Sequence, residues 1–158
     1  MRQEQRNIAA RNYGLRSRNM IDAGRHALQE GMQSHSSIAT MTDRWRVFAN
    51  YARDELGVRD MRRIETAHLQ QYAATLRERF EQGEISPATA QNYLSTVNRV
   101  LEIARGDKAV RLDPVRGAGL PQRSGICIES RAVSAEAHQR AVKAVGNRVC
   151  ALMGLQRA

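Results

Sequence analysis

The chain is 158 residues long with a formal net charge of +9, and every one of its 25 basic residues except Lys108 and Lys143 is arginine. Three prolines and eleven glycines exclude a low-complexity or collagen-like chain. No run of about 18 apolar residues is present, so no membrane span is predicted, and two isolated cysteines, Cys127 and Cys150, supply neither a disulfide framework nor a metal knuckle.

Residues 1–19 carry Arg2, Arg6, Arg11, Arg16 and Arg18 against a single acid, Glu4, with weak apolar periodicity. They read as a basic arm, partly disordered when free, of the kind that follows a DNA backbone or enters a minor groove. The helical domain is expected over 20–106. Its first helix spans about 19–32, with Met20, Ala23, Ala27 and Leu28 on one side, and is broken by Gly31 and the serine-rich run 34–37. A stronger helix is expected over 37–56, because Ile38, Met41, Trp45, Phe48, Ala52 and Leu56 step by three and four. Thr40, Arg46, Asn50 and Arg53 fall away from that stripe, and Arg44 lies on its margin.

Residues 58–64 read as a linker. Thr66 is the expected N-cap of a third helix running to about Gln82, with Leu69, Tyr72, Ala73, Leu76 and Phe80 as its apolar repeat. Ser86-Pro87 opens a fourth, since serine caps free amides and proline at the first helical position loses no hydrogen bond. Ala90, Tyr93, Leu94, Val97, Val100, Leu101 and Ala104 form its stripe, and Gly106 ends it. The other side, Thr89, Gln91, Asn92, Ser95, Thr96, Asn98 and Arg99, is rich in hydrogen-bonding groups and carries no acid before Glu102. Such a face suits contact with a nucleic-acid groove.

Residues 107–133 hold two prolines and several glycines and read as a linker. Ser134 caps a last helix expected over 134–158. The fold class is therefore all-α, with four to five helices, no internal repeat and no sustained heptad.

Three stretches together resemble the N-terminal core-binding domain of tyrosine recombinases, the phage-integrase family: the segment ending ARDELG, then IETAHLQQYAATLRERFEQG, then SPATAQNYLSTVNRVLEIAR. The most characteristic piece is Ser86 to Arg105, with its serine start, its threonine and its Tyr-Leu-Ser step. RNYGLRSRNMIDAGRHAL and SAEAHQRAV are similar to a subgroup from bacterial mobile elements, and the resemblance covers about residues 11–145. It implies a SAM-like bundle that grips one side of duplex DNA at a recombination or attachment site, in the bacterial cytoplasm with the nucleoid. It also implies self-association within a recombinase assembly. Carried over by exposed position and chemistry, the candidate DNA contacts are Arg11, Arg16 and Arg18 on the arm, Thr40, Arg44 and Arg46 on the first strong helix, and Thr89, Asn92 and Arg99 on the last core helix.

The family's catalytic equipment is not matched. It requires two arginines, a His-x-x-Arg step and a tyrosine nucleophile near the C-terminus, whereas none of His26, His35, His68 and His138 is followed three residues later by arginine. The tyrosines are Tyr13, Tyr51, Tyr72 and Tyr93, and Tyr72 and Tyr93 lie on apolar stripes. The chain is expected to be non-catalytic, a DNA-holding half whose catalytic partner domain would only be starting at residues 134–158. No phosphate loop and no metal-ligand spacing is present, so neither cofactor, metal nor small-molecule substrate is expected. Two rival readings stay open: a helical protein-interaction or assembly module, and a free-standing small DNA-binding regulator.

Overall fold

The computed structural model describes residues 7–122. The helix expected over 134–158 and the linker beyond Gln122 lie outside the described residues. Four α-helices carry the fold: α1 (Met20–Gly31), α2 (His35–Asp54), α3 (Thr66–Glu81) and α4 (Pro87–Arg105). Short 3-10 turns stand at Arg11–Gly14 and Met61–Arg63, and there is no strand among the described residues. The protein is an all-α bundle.

Local chemistry sets the helix ends. Asn19 accepts the amide of Ile21 at 3.0 Å and starts α1. Ser86 accepts the amide of Thr89 at 3.1 Å, Pro87 follows it, and Gly106 ends α4 at φ 80°, a conformation glycine adopts without the clash a Cβ would bring. Two ends differ from expectation. α2 begins at His35, because the serine run that reads as a breaker supplies its first turn. α3 is capped by Glu65 rather than Thr66: the Glu65 amide donates to Nδ1 of His68 at 3.0 Å, and Thr66 is already helical.

α4 is the central helix and packs on the other three and on the 3-10 turn at Arg11–Gly14. Its stripe is buried at Ala90, Leu94, Val97, Val100, Leu101 and Ala104, with Tyr93 only partly covered. α1 lies against both α2 and α4. Trp45 is fully buried, and its indole Nε1 donates to the Met20 carbonyl at 2.9 Å, which pins α2 to the first turn of α1. Aromatic rings then bridge α2 to α3: Phe48 meets Trp45 at 5.4 Å and Tyr72 edge-on at 5.0 Å, and Tyr51 meets Tyr72 at 5.2 Å. Phe80, placed by its spacing on the same stripe, is only half-buried.

Three stretches that read as connections belong to the core. Residues 7–19 are not a free arm: Asn12, Tyr13 and Leu15 are buried. In the expected linker 58–64, Val58, Asp60, Met61 and Ile64 are buried. Past Gly106 the chain turns back along α4 and buries Leu112, Ala118 and Leu120. The compact unit closes at Gln122, so residues 107–122 are part of the domain and not a linker. Among the described residues no helix is long and apolar enough to cross a membrane.

Candidate nucleic-acid interface

The returning segment decides which polar groups of α4 face outward. Asn98 donates from Nδ2 to the Leu112 carbonyl at 2.8 Å and accepts the Leu112 amide at 3.1 Å. Gln91 donates to the Pro121 carbonyl at 2.6 Å. Thr96 is buried and turns its hydroxyl onto the Asn92 carbonyl at 2.8 Å. Gln91, Thr96 and Asn98 therefore face the protein's own chain. The face read from the sequence as open to a groove is reduced to Thr89, Asn92, Ser95 and Arg99. Thr89 and Asn92 are half-buried, and the Thr89 hydroxyl shares a 2.8 Å hydrogen bond with that of Ser86. Arg99 is exposed and pairs with Glu102 at 3.5 Å.

On α2, Thr40 and Arg46 are exposed and Arg44 is half-buried. The Thr40 hydroxyl donates back to the Ser36 carbonyl at 3.1 Å, and Arg46 pairs with Asp43 at 3.0 Å. Both ion pairs lie in solvent, where such contacts hold weakly and exchange readily for a phosphate partner. Arg46, Asn50 and Arg53 follow one line along α2, so Arg53 stands about 10 Å further along the axis than Arg46.

At the N-terminal segment the arginines acquire fixed positions. Asn12 is fully buried, and its side chain donates to the carbonyls of Ser17 (3.1 Å) and Arg18 (3.2 Å) and accepts the Met61 amide (2.9 Å). The Asn12 amide donates to Asp60 at 3.0 Å. Asp60 also takes the Arg62 amide at 3.1 Å and the Arg62 guanidinium at 2.7 Å. Burial disfavours the Asp60 carboxylate, but the hydrogen bonds from the Arg62 side chain and from the Asn12 and Arg62 amides outweigh it and hold its pKa at about 2. Arg11 donates to the Arg59 carbonyl at 3.2 Å, and Arg62 reaches the Ala9 carbonyl.

This latch lays Arg11 and Arg18 into a cleft of about 370 Å³ that is also lined by Asn19, Met20, Ile21, Ala49, Arg53 and Arg59. Four arginines from three parts of the chain line it, and no acid is among the lining residues. Arg53 is held by the neighbouring Asp54 at 2.7 Å. Arg11, Arg18 and Arg59 make no ion pair among the described residues. Of the nine candidate contacts the cleft brings together Arg11 and Arg18. Arg16, exposed at φ 43°, lies outside it, as do Thr40, Arg44, Arg46, Thr89, Asn92 and Arg99. Arg53 and Arg59 are the lining arginines that sequence reasoning did not select. The only signal for Arg59 is the basic run Arg59, Arg62 and Arg63 in a stretch that reads as a connector.

Among the described residues no group of three His, Cys, Asp or Glu stands close enough to hold a metal ion. No family model, no curated protein and no solved structure matches the chain.

Proposed function

We propose that this chain is a non-catalytic DNA-binding domain that holds duplex DNA through arginine–phosphate contacts, in the manner of the SAM-like core-binding domain of a phage-type integrase. The observation that carries this reading is the distribution of arginine. Exposed arginines stand on α2, on α4, on the N-terminal segment and on the turn before α3, and several of them converge on a cleft without an acid in its lining. Arginine's planar fork suits phosphate oxygens and guanine edges, and phosphate neutralisation supplies affinity independent of base sequence. The net charge of +9 supports the same reading. The resemblance of Ser86–Arg105 to the integrase helix supports the recombinase assignment, and with it a role in the bacterial cytoplasm and self-association on DNA.

The test is a salt titration of binding to a random duplex of about 30 base pairs, followed by fluorescence anisotropy. Binding at low salt, with a log–log slope near 0.9 for each phosphate neutralised, is the expected result. A folded sample that ignores the duplex at low salt, or whose association with itself is indifferent to both salt and DNA, would point instead to the protein-interaction reading.

A further inference from the structure

We infer that the cleft between the N-terminal segment, the first turn of α1 and the end of α2 is a phosphate seat, with Arg11, Arg18 and Arg59 as its gripping residues. The ligand chemistry is a phosphate ester or pyrophosphate. Its source, on the DNA-binding reading, is the sugar–phosphate backbone of the duplex.

Three observations converge on this cleft. First, its charge is one-sided: four arginines line it, no acid is among the lining residues, and the neighbouring carboxylates Asp54 and Asp60 are engaged by Arg53 and Arg62, each at 2.7 Å. The lining is thus left with a net positive charge that an anion would neutralise, and a guanidinium group can donate to two phosphate oxygens at once. Second, the arginines are positioned from below. Arg11 and Arg18 flank Asn12, whose side chain holds the Ser17 and Arg18 carbonyls and the Met61 amide, and the Arg11 guanidinium itself rests on the Arg59 carbonyl at 3.2 Å. A scaffold that fixes two cationic segments against each other before any ligand arrives lowers the ordering cost of binding. Third, the segment bearing Arg11 and Arg18 keeps Tyr13 and Arg16, neither of them a residue that favours the left-handed region, at φ 56° and 43°. Non-glycine residues hold that conformation only where the surroundings enforce it, and such strain gathers at ligand-binding segments.

Asn12 is a positioning residue here. It touches no ligand and acts through the backbone on either side of Arg11 and Arg18. The remaining candidate contacts lie outside the seat, and two of them, Arg46 and Arg99, are paired with acids.

The test compares three full-length proteins: the wild type, Arg18→Ala with Arg59→Ala, and a charge-matched control, Arg111→Ala with Arg116→Ala, in which two exposed arginines outside the cleft are removed. All four side chains are exposed, so each variant should stay folded, which circular dichroism checks. Each protein is titrated with the duplex across a salt series, and separately with inorganic pyrophosphate by calorimetry at low salt. The seat predicts that the Arg18/Arg59 variant loses about 0.9 of a unit of salt slope, the share of the one phosphate released, while the control keeps the wild-type slope. Wild-type affinity and slope in the Arg18/Arg59 variant would overturn the seat and leave the DNA-binding reading standing, and so would an equal loss in the control. If the wild type ignores the duplex, that reading falls, and pyrophosphate decides the seat alone. Binding heat in the wild type that vanishes in the Arg18/Arg59 variant sustains it for a small phosphate ligand, and absence of heat in both overturns it.

Discussion

Asn12 does the work of a short stretch of secondary structure. Its amide, its side-chain donor and its side-chain acceptor hold the N-terminal segment to Asp60, Ser17, Arg18 and Met61. Asparagine is among the few non-glycine residues that tolerate a positive φ. Tyr13, next to it at φ 56°, bears a strain of about 1 kcal/mol or more. Burial of its ring and the hydrogen bond that Arg105 donates to its hydroxyl at 2.9 Å offset this. Asp60 makes the latch sensitive to acid. Its pKa falls from 3.8 to about 2 in the folded chain, so the unfolded chain binds its proton more readily. The stabilisation is complete above about pH 5 and is lost as pH drops towards 2, amounting to about 2 kcal/mol. Urea unfolding at stepped pH should show the wild-type midpoint falling over that window. Asp60→Asn should be less stable at pH 7 and should show a flatter profile below pH 5. Parallel profiles would remove the latch from the account.

Among the elements, the packing of α1 on α2 turns on a missing methyl group. A Cβ added at Gly24 would stand 2.0 Å from Nε1 of Trp45, whose ring is fully buried and tied to Met20. Glycine-to-alanine in a helix interior is ordinarily worth about 1 kcal/mol in its favour. Here the indole cannot retreat, and overpacking of a filled core costs about 1–3 kcal/mol. Gly24→Ala should therefore lower the urea midpoint, against the propensity scale, and a raised midpoint would show that the α1–α2 contact yields. The helices themselves were readable because their signals are local. Ser86-Pro87, the three-and-four stepping from Trp45 to Ala52, and Gly106 need no information from distant residues. The roles of Gln91, Thr96 and Asn98 were not readable. Periodicity marks the apolar face of α4, but it says nothing of a chain that returns to cover the polar one.

At the scale of the whole molecule, order comes from contacts between distant parts of the chain. Residues 7–19 and 107–122 lack any periodic signal, so each reads as arm or linker. Each is anchored by a few apolar side chains and by amide side chains bonded to backbone: Tyr13 and Leu15 with Asn12, and Leu112 and Leu120 with Asn98 and Gln91. The same holds for the cleft. Arg11 and Arg18 could be chosen from the sequence as basic and near the start of the chain. Arg53 and Arg59 could not, because only folding brings them together. A chain ending at Gly106 should accordingly melt well below one ending at Gln122, since burial of a leucine is worth about 1.5–3 kcal/mol and two are removed. Equal melting of the two would make residues 107–122 a surface adornment.

The clustering of Arg11, Arg18, Arg53 and Arg59 has a cost as well as a use. Bringing like charges into one cleft raises the free energy of the native state relative to a chain in which they are scattered. Dissolved salt screens that repulsion and screens equally the attraction of the cleft for a polyanion. Ionic strength should thus pull the protein in two directions at once, firming the isolated fold while loosening its grip, and a bound polyanion would itself act as the missing counter-charge of the native state.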